Sequence, residues 1–148
     1  MAAETDLVKL YSGRILALAA DIPHLGRLDA PSATVVKRAP LCGSTVTVDL
    51  VVRGGRVAEF AQDVKACALG QASAAILGSQ VIGRDRAEIE RARNQLAAML
   101  RQGGPVPDAP FNGLEVLLPA RDFTNRHASI LLAYDATLEA LVEAEKAA

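Results

Sequence analysis

Between Asp6 and Asp21 the apolar side chains Leu7, Leu10, Tyr11, Ile15 and Leu18 recur at helical spacing and mark one face for burial. The helix has to stop at Ile22-Pro23, because a residue preceding proline avoids the helical region. Pro23-His24-Leu25-Gly26 then reads as a turn with His24 exposed in it, and Pro31 keeps the next stretch extended. The pattern changes to period two in Thr45–Val52. Val46, Val48, Leu50 and Val52 share one face and Thr45, Thr47 and Asp49 the other, the mark of a half-buried strand. Arg53-Gly54-Gly55-Arg56 supplies the residues of a tight hairpin, and Val57 to Val64 is the return strand, with Val57, Phe60 and Val64 its larger apolar residues. Ala33 to Lys37 is the first strand of the set.

From Ala68 onward Leu69, Ala72, Ser73, Ile76 and Leu77 return to helical spacing, flanked by small residues that allow close packing on the sheet, and Gly83 ends the segment. Asp85 followed by Glu88 forms a capping box for the next helix, whose apolar positions are Ile89, Ala92, Leu96, Met99 and Leu100. Gly103-Gly104 terminates it, and the Pro- and Gly-rich stretch to Pro110 is a connector. Asn112 to Arg121 fits either a short strand or a helical turn. Ala128 to Glu145 is a final helix bearing Leu131, Leu138, Leu141 and Val142. The predicted fold class is α+β: a small three-stranded antiparallel sheet, a meander, with helices packed mainly on one face, an N-terminal helix and a long C-terminal helix.

The 148 residues suit a single domain over 1–148, large enough to bury a core without a disulfide or structural metal. A net charge of −1 argues against nucleic-acid and anionic-membrane partners, and 3% aromatic residues with no Trp leave no base-stacking platform. No apolar run reaches the roughly 18 residues of a membrane span. No signal-peptide pattern precedes Asp21, and two cysteines make no disulfide framework, so the expected location is cytoplasmic. Phosphate loops, Cys-x-x-Cys, His-Glu-x-x-His and Gly-x-Ser-x-Gly are all missing from the sequence, and an enzyme is not expected.

Both cysteines fall at junctions. Cys42 lies in Pro40-Leu41-Cys42-Gly43, a turn between the first two strands; Cys67 begins a helix, where free amides and the helix dipole favour a thiolate and Lys65 pushes the same way. A meander can bring the two sulfurs to one end of the sheet. Two readings of these residues stand: buried small hydrophobes, or a thiolate site for a metal, a cluster or transferable sulfur.

The surrounding residues resemble the iron–sulfur cluster assembly scaffold family (IscU, SufU and the N-terminal domain of NifU). Pro40-Leu41-Cys42-Gly43 before an alternating strand is similar to that family's first cysteine motif. Lys65-Ala66-Cys67-Ala68-Leu69-Gly70-Gln71-Ala72-Ser73-Ala74 is similar to its second. His127-Ala128-Ser129-Ile130-Leu131 resembles the third, His-Cys-Ser-x-Leu or Lys-Cys-Ala-x-Leu, and Tyr11 with Ile22-Pro23-His24-Leu25-Gly26 resembles the N-terminal helix and its turn. The resemblance runs through nearly the whole chain in the same order.

The resemblance implies a scaffold that binds iron or a nascent Fe–S cluster and passes it to acceptor proteins, with a cysteine desulfurase supplying sulfur. Zinc is the other cofactor it allows, and an oligomer is possible. The implied ligands are Cys42, Cys67 and His127, with Ser44, Lys65 and Arg126 around them. Ser44 stands at the family's aspartate and could hydrogen-bond a sulfide or thiolate. The third cysteine is replaced: matching His to His puts Ala128 there, whereas the Lys-Cys pattern puts His127 there. Three ligands fall short of the four a [2Fe–2S] cluster takes, while two thiolates and an imidazole suit zinc with an open position. Arg121 and Arg126 flank the third motif and could stabilise thiolates, contact a partner or be simply solvated. The family's Leu-Pro-Pro-Val-Lys chaperone segment has no counterpart in Leu118-Pro119-Ala120-Arg121. Two alternatives to the scaffold follow from these departures: a zinc-bound sulfur acceptor, or a family member without metal chemistry that works by interaction.

Overall fold

A computed structural model describes residues 11–40 and 43–147. The alternating segment is the central strand, β2 (Thr45–Arg53), between β1 (Ala33–Arg38) and β3 (Arg56–Lys65) in an antiparallel meander of order β1-β2-β3. Gly54 and Gly55 make the β2–β3 hairpin with φ of 61° and 76°, two consecutive left-handed residues that a side chain would strain. A bulge beside Val51/Val52 moves the register so that Leu50 faces Phe60 and Val52 faces Val57. The extra residue explains why Val57 and Phe60, three apart in sequence, are buried on the same face.

Among the described residues four α-helices accompany the sheet. The first, α1 (Gly13–Ala20), is shorter than the amphipathic pattern; Ser12 caps it, its Oγ accepting from the Ile15 amide at 3.4 Å. The expected beginning of this helix, Asp6 to Leu10, lies outside the described residues. The second, α2 (Ala68–Gln80), is buried at Leu69, Gly70 and without a break from Ala72 to Gly78. It packs on α1 and on the C-terminal helix α4 (His127–Ala147), which crosses β1 and β2. Its small side chains allow this sandwiching: Gly70 lies so near α4 that a Cβ there would sit 2.6 Å from Ser129 Oγ and 3.1 Å from the Ser129 carbonyl oxygen. Between α2 and α4 comes α3 (Arg86–Arg101), which starts at the capping box: Asp85 accepts from the Glu88 amide at 2.9 Å and Glu88 from the Asp85 amide at 3.2 Å. Residues Asn112–Asp122, open between strand and helix in the sequence, form a 3-10 helix with Leu114, Val116, Leu117 and Ala120 buried. The apolar residues are thus spent against α2 and α3, and no strand adds to the sheet. The α+β architecture agrees with the sequence reading.

Two buried polar residues tie the turn after α1 to the sheet. Asp49 is fully buried although it lies on the face of β2 away from the helices, because the chain at Arg27–Leu28 crosses it. Its carboxylate accepts from Arg27 Nε at 2.6 Å, Arg27 Nη2 at 3.2 Å, the Leu28 amide at 3.0 Å and Thr34 Oγ1 at 2.5 Å. Gln62, buried in β3, donates from Nε2 to the carbonyls of Ala74 at 3.0 Å and Pro23 at 3.3 Å. Its amide and carbonyl pair with the His24 carbonyl and the Gly26 amide, both at 2.9 Å. Among the described residues no helix is long and apolar enough to cross a membrane.

Candidate functional site

The antiparallel run of β1 and β3 brings their C-terminal ends to the start of β2, with Arg38, Thr45 and Lys65 in register. Ser44 closes the β1–β2 turn, its carbonyl accepting from the Ala39 amide at 2.8 Å. Cys67 is the N-cap of α2, in extended conformation, with no side-chain cap bond and its carbonyl accepting from the Gln71 amide at 2.9 Å. Ser129, in the first turn of α4, joins the two: Ser129 Oγ is 2.9 Å from Ser44 Oγ and 3.6 Å from Cys67 Sγ. A strand start, a helix N-cap and a second helix therefore meet in one chain of contacts, from Ser44 through Ser129 to the Cys67 thiol. Ser44 and Ser129 are buried and Cys67 is half-buried.

His127 is buried, and its Nε2 lies 2.9 Å from the Ala120 carbonyl of the 3-10 helix. A carbonyl only accepts, so Nε2 carries a proton, and whenever the ring is neutral the lone pair is on Nδ1. That is the tautomer of a histidine ligand braced by a backbone carbonyl. Its position points elsewhere, however. Residues two apart on a helix are turned about 200° from each other, so His127 lies on the opposite side of α4 from Ser129, with the half-buried Ala128 between them. Thus Ser44 and Cys67 are brought together, and His127 is not hydrogen-bonded to either. Cys42 lies outside the described residues.

Lys65 is exposed two positions before Cys67, and Arg126 is half-buried one position before His127. Arg121 is engaged away from the thiol. Its Nε donates to the Met99 carbonyl at 2.8 Å and its Nη2 to the Gly104 carbonyl at 3.2 Å, closing the C-terminal end of α3. Ser129 is the residue that sequence reasoning missed as a site member. Its signal was present, since the serine of the third motif is retained here, but its partners lie 62 and 85 positions away.

The donor set bears directly on cargo. Among the described residues no three His, Cys, Asp or Glu side chains gather to hold a metal ion. Serine hydroxyls stay protonated at neutral pH and make poor fourth ligands, so the described cluster offers one thiol, hydrogen-bonded to Ser129, which in turn pairs with Ser44.

These features define a small α+β domain with a thiol at the N-cap position of a helix, at the end of an antiparallel sheet. The family model described as NifU-like N terminal domain matches residues 10–117, which include both cysteines. The crystal structure of a nitrogen-fixing NifU-like protein (N-terminal) from Brucella abortus is 40% identical, with 97% of this chain and 99% of that one covered and a TM-score of 0.93. The chain belongs to the NifU-like N-terminal domain family. The fold is also shared with a putative iron–sulfur cluster assembly scaffold protein for the SUF system from Fervidobacterium islandicum AW-1 (20% identity, 90% and 98% covered, TM-score 0.79). A hypothetical protein shares it as well, at 24% identity with 91% and 98% covered and a TM-score of 0.78. No curated protein matches the chain.

Proposed function

We propose that this protein is a scaffold of iron–sulfur cluster assembly, a binder and carrier rather than a catalyst, working in the cytoplasm. It receives sulfur from a cysteine desulfurase and hands iron or a nascent cluster to acceptor proteins. The observation that carries this reading is family membership across residues 10–117, with Cys42 and Cys67 both retained inside the match. Cys42 and Cys67 are the proposed thiolate ligands. Ser44 and Ser129 serve the site as hydrogen-bond donors, and Lys65 and Arg126 line its rim. For His127 the bond to Ala120 and its side of α4 favour a positioning role, bracing the 3-10 helix against the start of α4.

The test is iron, zinc and acid-labile sulfide per chain in anaerobically purified protein, beside Cys42→Ser/Cys67→Ser and His127→Gln. Iron with sulfide, lost in the double cysteine variant, is the expected result; metal retained in that variant would overturn the ligand assignment. Glutamine can still donate to the Ala120 carbonyl but lacks an imidazole lone pair, so unchanged metal in His127→Gln supports positioning and its loss makes His127 a ligand. Zinc without sulfide would point to a zinc-bound sulfur acceptor instead. A second reading, an interaction protein without metal chemistry, is favoured by one observation, the Ser44–Ser129 hydrogen bond at the position of the family's aspartate. It requires all three proteins to be metal-free.

A further inference from the structure

The lysines and arginines of this chain are unevenly engaged. Among the described residues nine of them sit in ion pairs, and Arg121 is held by carbonyls. Among the described residues Arg38, Lys65, Arg91, Arg101 and Arg126 make no ion pair; Arg91 and Arg101 lie on α3, whereas Arg38, Lys65 and Arg126 belong to segments that form the thiol cluster. Arg38 pairs in register with Thr45, the residue after Ser44; Lys65 precedes Cys67 by two; Arg126 precedes Ser129 by three.

Arg38, Thr45 and Lys65 form one cross-strand row, on the sheet face away from the helices. Strands are about 4.8 Å apart, which sets the two cationic positions about 10 Å apart with a threonine between them. The next row on that face is Val36, Thr47 and Asp63, where Val36 is 65% exposed, more than any other large apolar residue described. Farther along, Arg27 and Leu28 cover the row of Thr34, Asp49 and Ala61. The acid of the open rows is Asp63, whose charge acts on Arg27. The open part of the face is thus basic and partly apolar, and lies at the end of the sheet from which β3 leads, two residues after Lys65, to Cys67.

We propose that this end of the sheet face is a docking surface for an acidic peptide segment of a partner protein, its carboxylates on Arg38 and Lys65 and an apolar side chain on Val36. The proposal rests on the scaffold reading, because a partner seated there is held at the same end of the sheet as Cys67.

The probe is a fluorescent octapeptide of glutamates interrupted by two leucines, titrated with the full chain and read by anisotropy. Arg38→Gln/Lys65→Gln is expected to weaken binding about tenfold, the effect of two partly exposed charge contacts. Arg91→Gln/Arg101→Gln, which removes two unpaired charges from α3, is the control for net charge and is expected to bind as the parent does. Equal losses in both variants, or no binding by the parent, would overturn the proposal. So would a single-stranded oligonucleotide of equal charge binding as tightly, since the surface would then select charge alone. Metal content decides the scaffold reading and anisotropy decides this one, so each can fail without the other.

Discussion

Gly70→Ala tests whether α2 and α4 are as close as the site requires. The new methyl would lie 2.6 Å from Ser129 Oγ, 2.9 Å from Ala66 Cβ and 3.1 Å from the Ser129 carbonyl oxygen. The hydroxyl can rotate away, but only by leaving Ser44 and Cys67; the carbonyl moves only if α4 moves. Overpacking of this kind costs about 1–3 kcal/mol. Alanine recovers about 0.5–1 kcal/mol of helix propensity. The net expectation is a loss of about 1–2 kcal/mol, or about 3–6 °C in thermal midpoint for a domain of this size. Gly13→Ala is the matched control. It also lies in a helix, but nothing stands within 4 Å of its added methyl, so propensity acts alone and stability should hold or rise slightly. Thermal unfolding followed by far-UV circular dichroism measures both. If Gly70→Ala gains stability as Gly13→Ala does, helix α4 is not seated on α2 as described and the placement of Ser129 beside Cys67 falls with it.

The two polar ties of the turn after α1 give the remaining predictions. Burial pushes the pKa of Asp49 up, but hydrogen bonds from Arg27, Thr34 and the Leu28 amide, with the charge of Arg27, overcome it and hold the carboxyl below its ordinary value. A depressed folded-state value adds stability that is fully present above the unfolded value of about 3.9 and is lost as pH falls through the lower folded value. Asp49→Asn should therefore lower the thermal midpoint most near neutrality, with the gap to the parent closing in acid; a gap independent of pH refutes the charge argument. Gln62→Glu would put a carboxylate against the Pro23 and Ala74 carbonyls, with no donor for it among the described groups, and should cost about 3 kcal/mol or more at neutral pH. A midpoint within a degree of the parent would show that the side-chain amide does not donate to both carbonyls.

Local signals were legible in the sequence because they close over a few residues. The alternation of β2, the Gly54-Gly55 hairpin and the Asp85/Glu88 capping box each use neighbours, and each appears where its pattern places it. Asn112–Asp122 was ambiguous because Leu114, Val116, Leu117 and Leu118 match neither period, and packing on α2 and α3 decides for the 3-10 helix. Asp49 reads as a polar residue of a half-buried strand. Only the crossing of Arg27–Leu28, 21 and 22 positions away, makes it fully buried. Arg121 looked like a member of the third motif by adjacency, yet its guanidinium serves the end of α3. Local patterns found the elements, whereas the identity of the residues around Cys67 depends on contacts across the fold.

The same separation bears on what the site can bind. The frame that brings the end of β3, the N-cap of α2 and the start of α4 together rests on Gly70, Gln62 and the Ser73 hydroxyl, which donates to the Ile130 carbonyl at 2.7 Å. None of these is a candidate cargo ligand, so the donor set can change without loosening the frame. Ser44 stands where the family resemblance puts an aspartate, and either His127 or Ala128 where it puts the third cysteine, while α2, α4 and the sheet keep their packing. Likeness of fold at a TM-score of 0.93 therefore speaks to this frame and not to the donor set. In the Ser44–Ser129 bond two buried hydroxyls pair, and Ser129 also reaches the thiol, where an unpaired buried carboxylate would need a metal or a cation. A site so neutralised should hold cargo less firmly than a site with a carboxylate and a third thiolate. On the scaffold reading proposed above, weaker retention suits a carrier that releases its cargo readily.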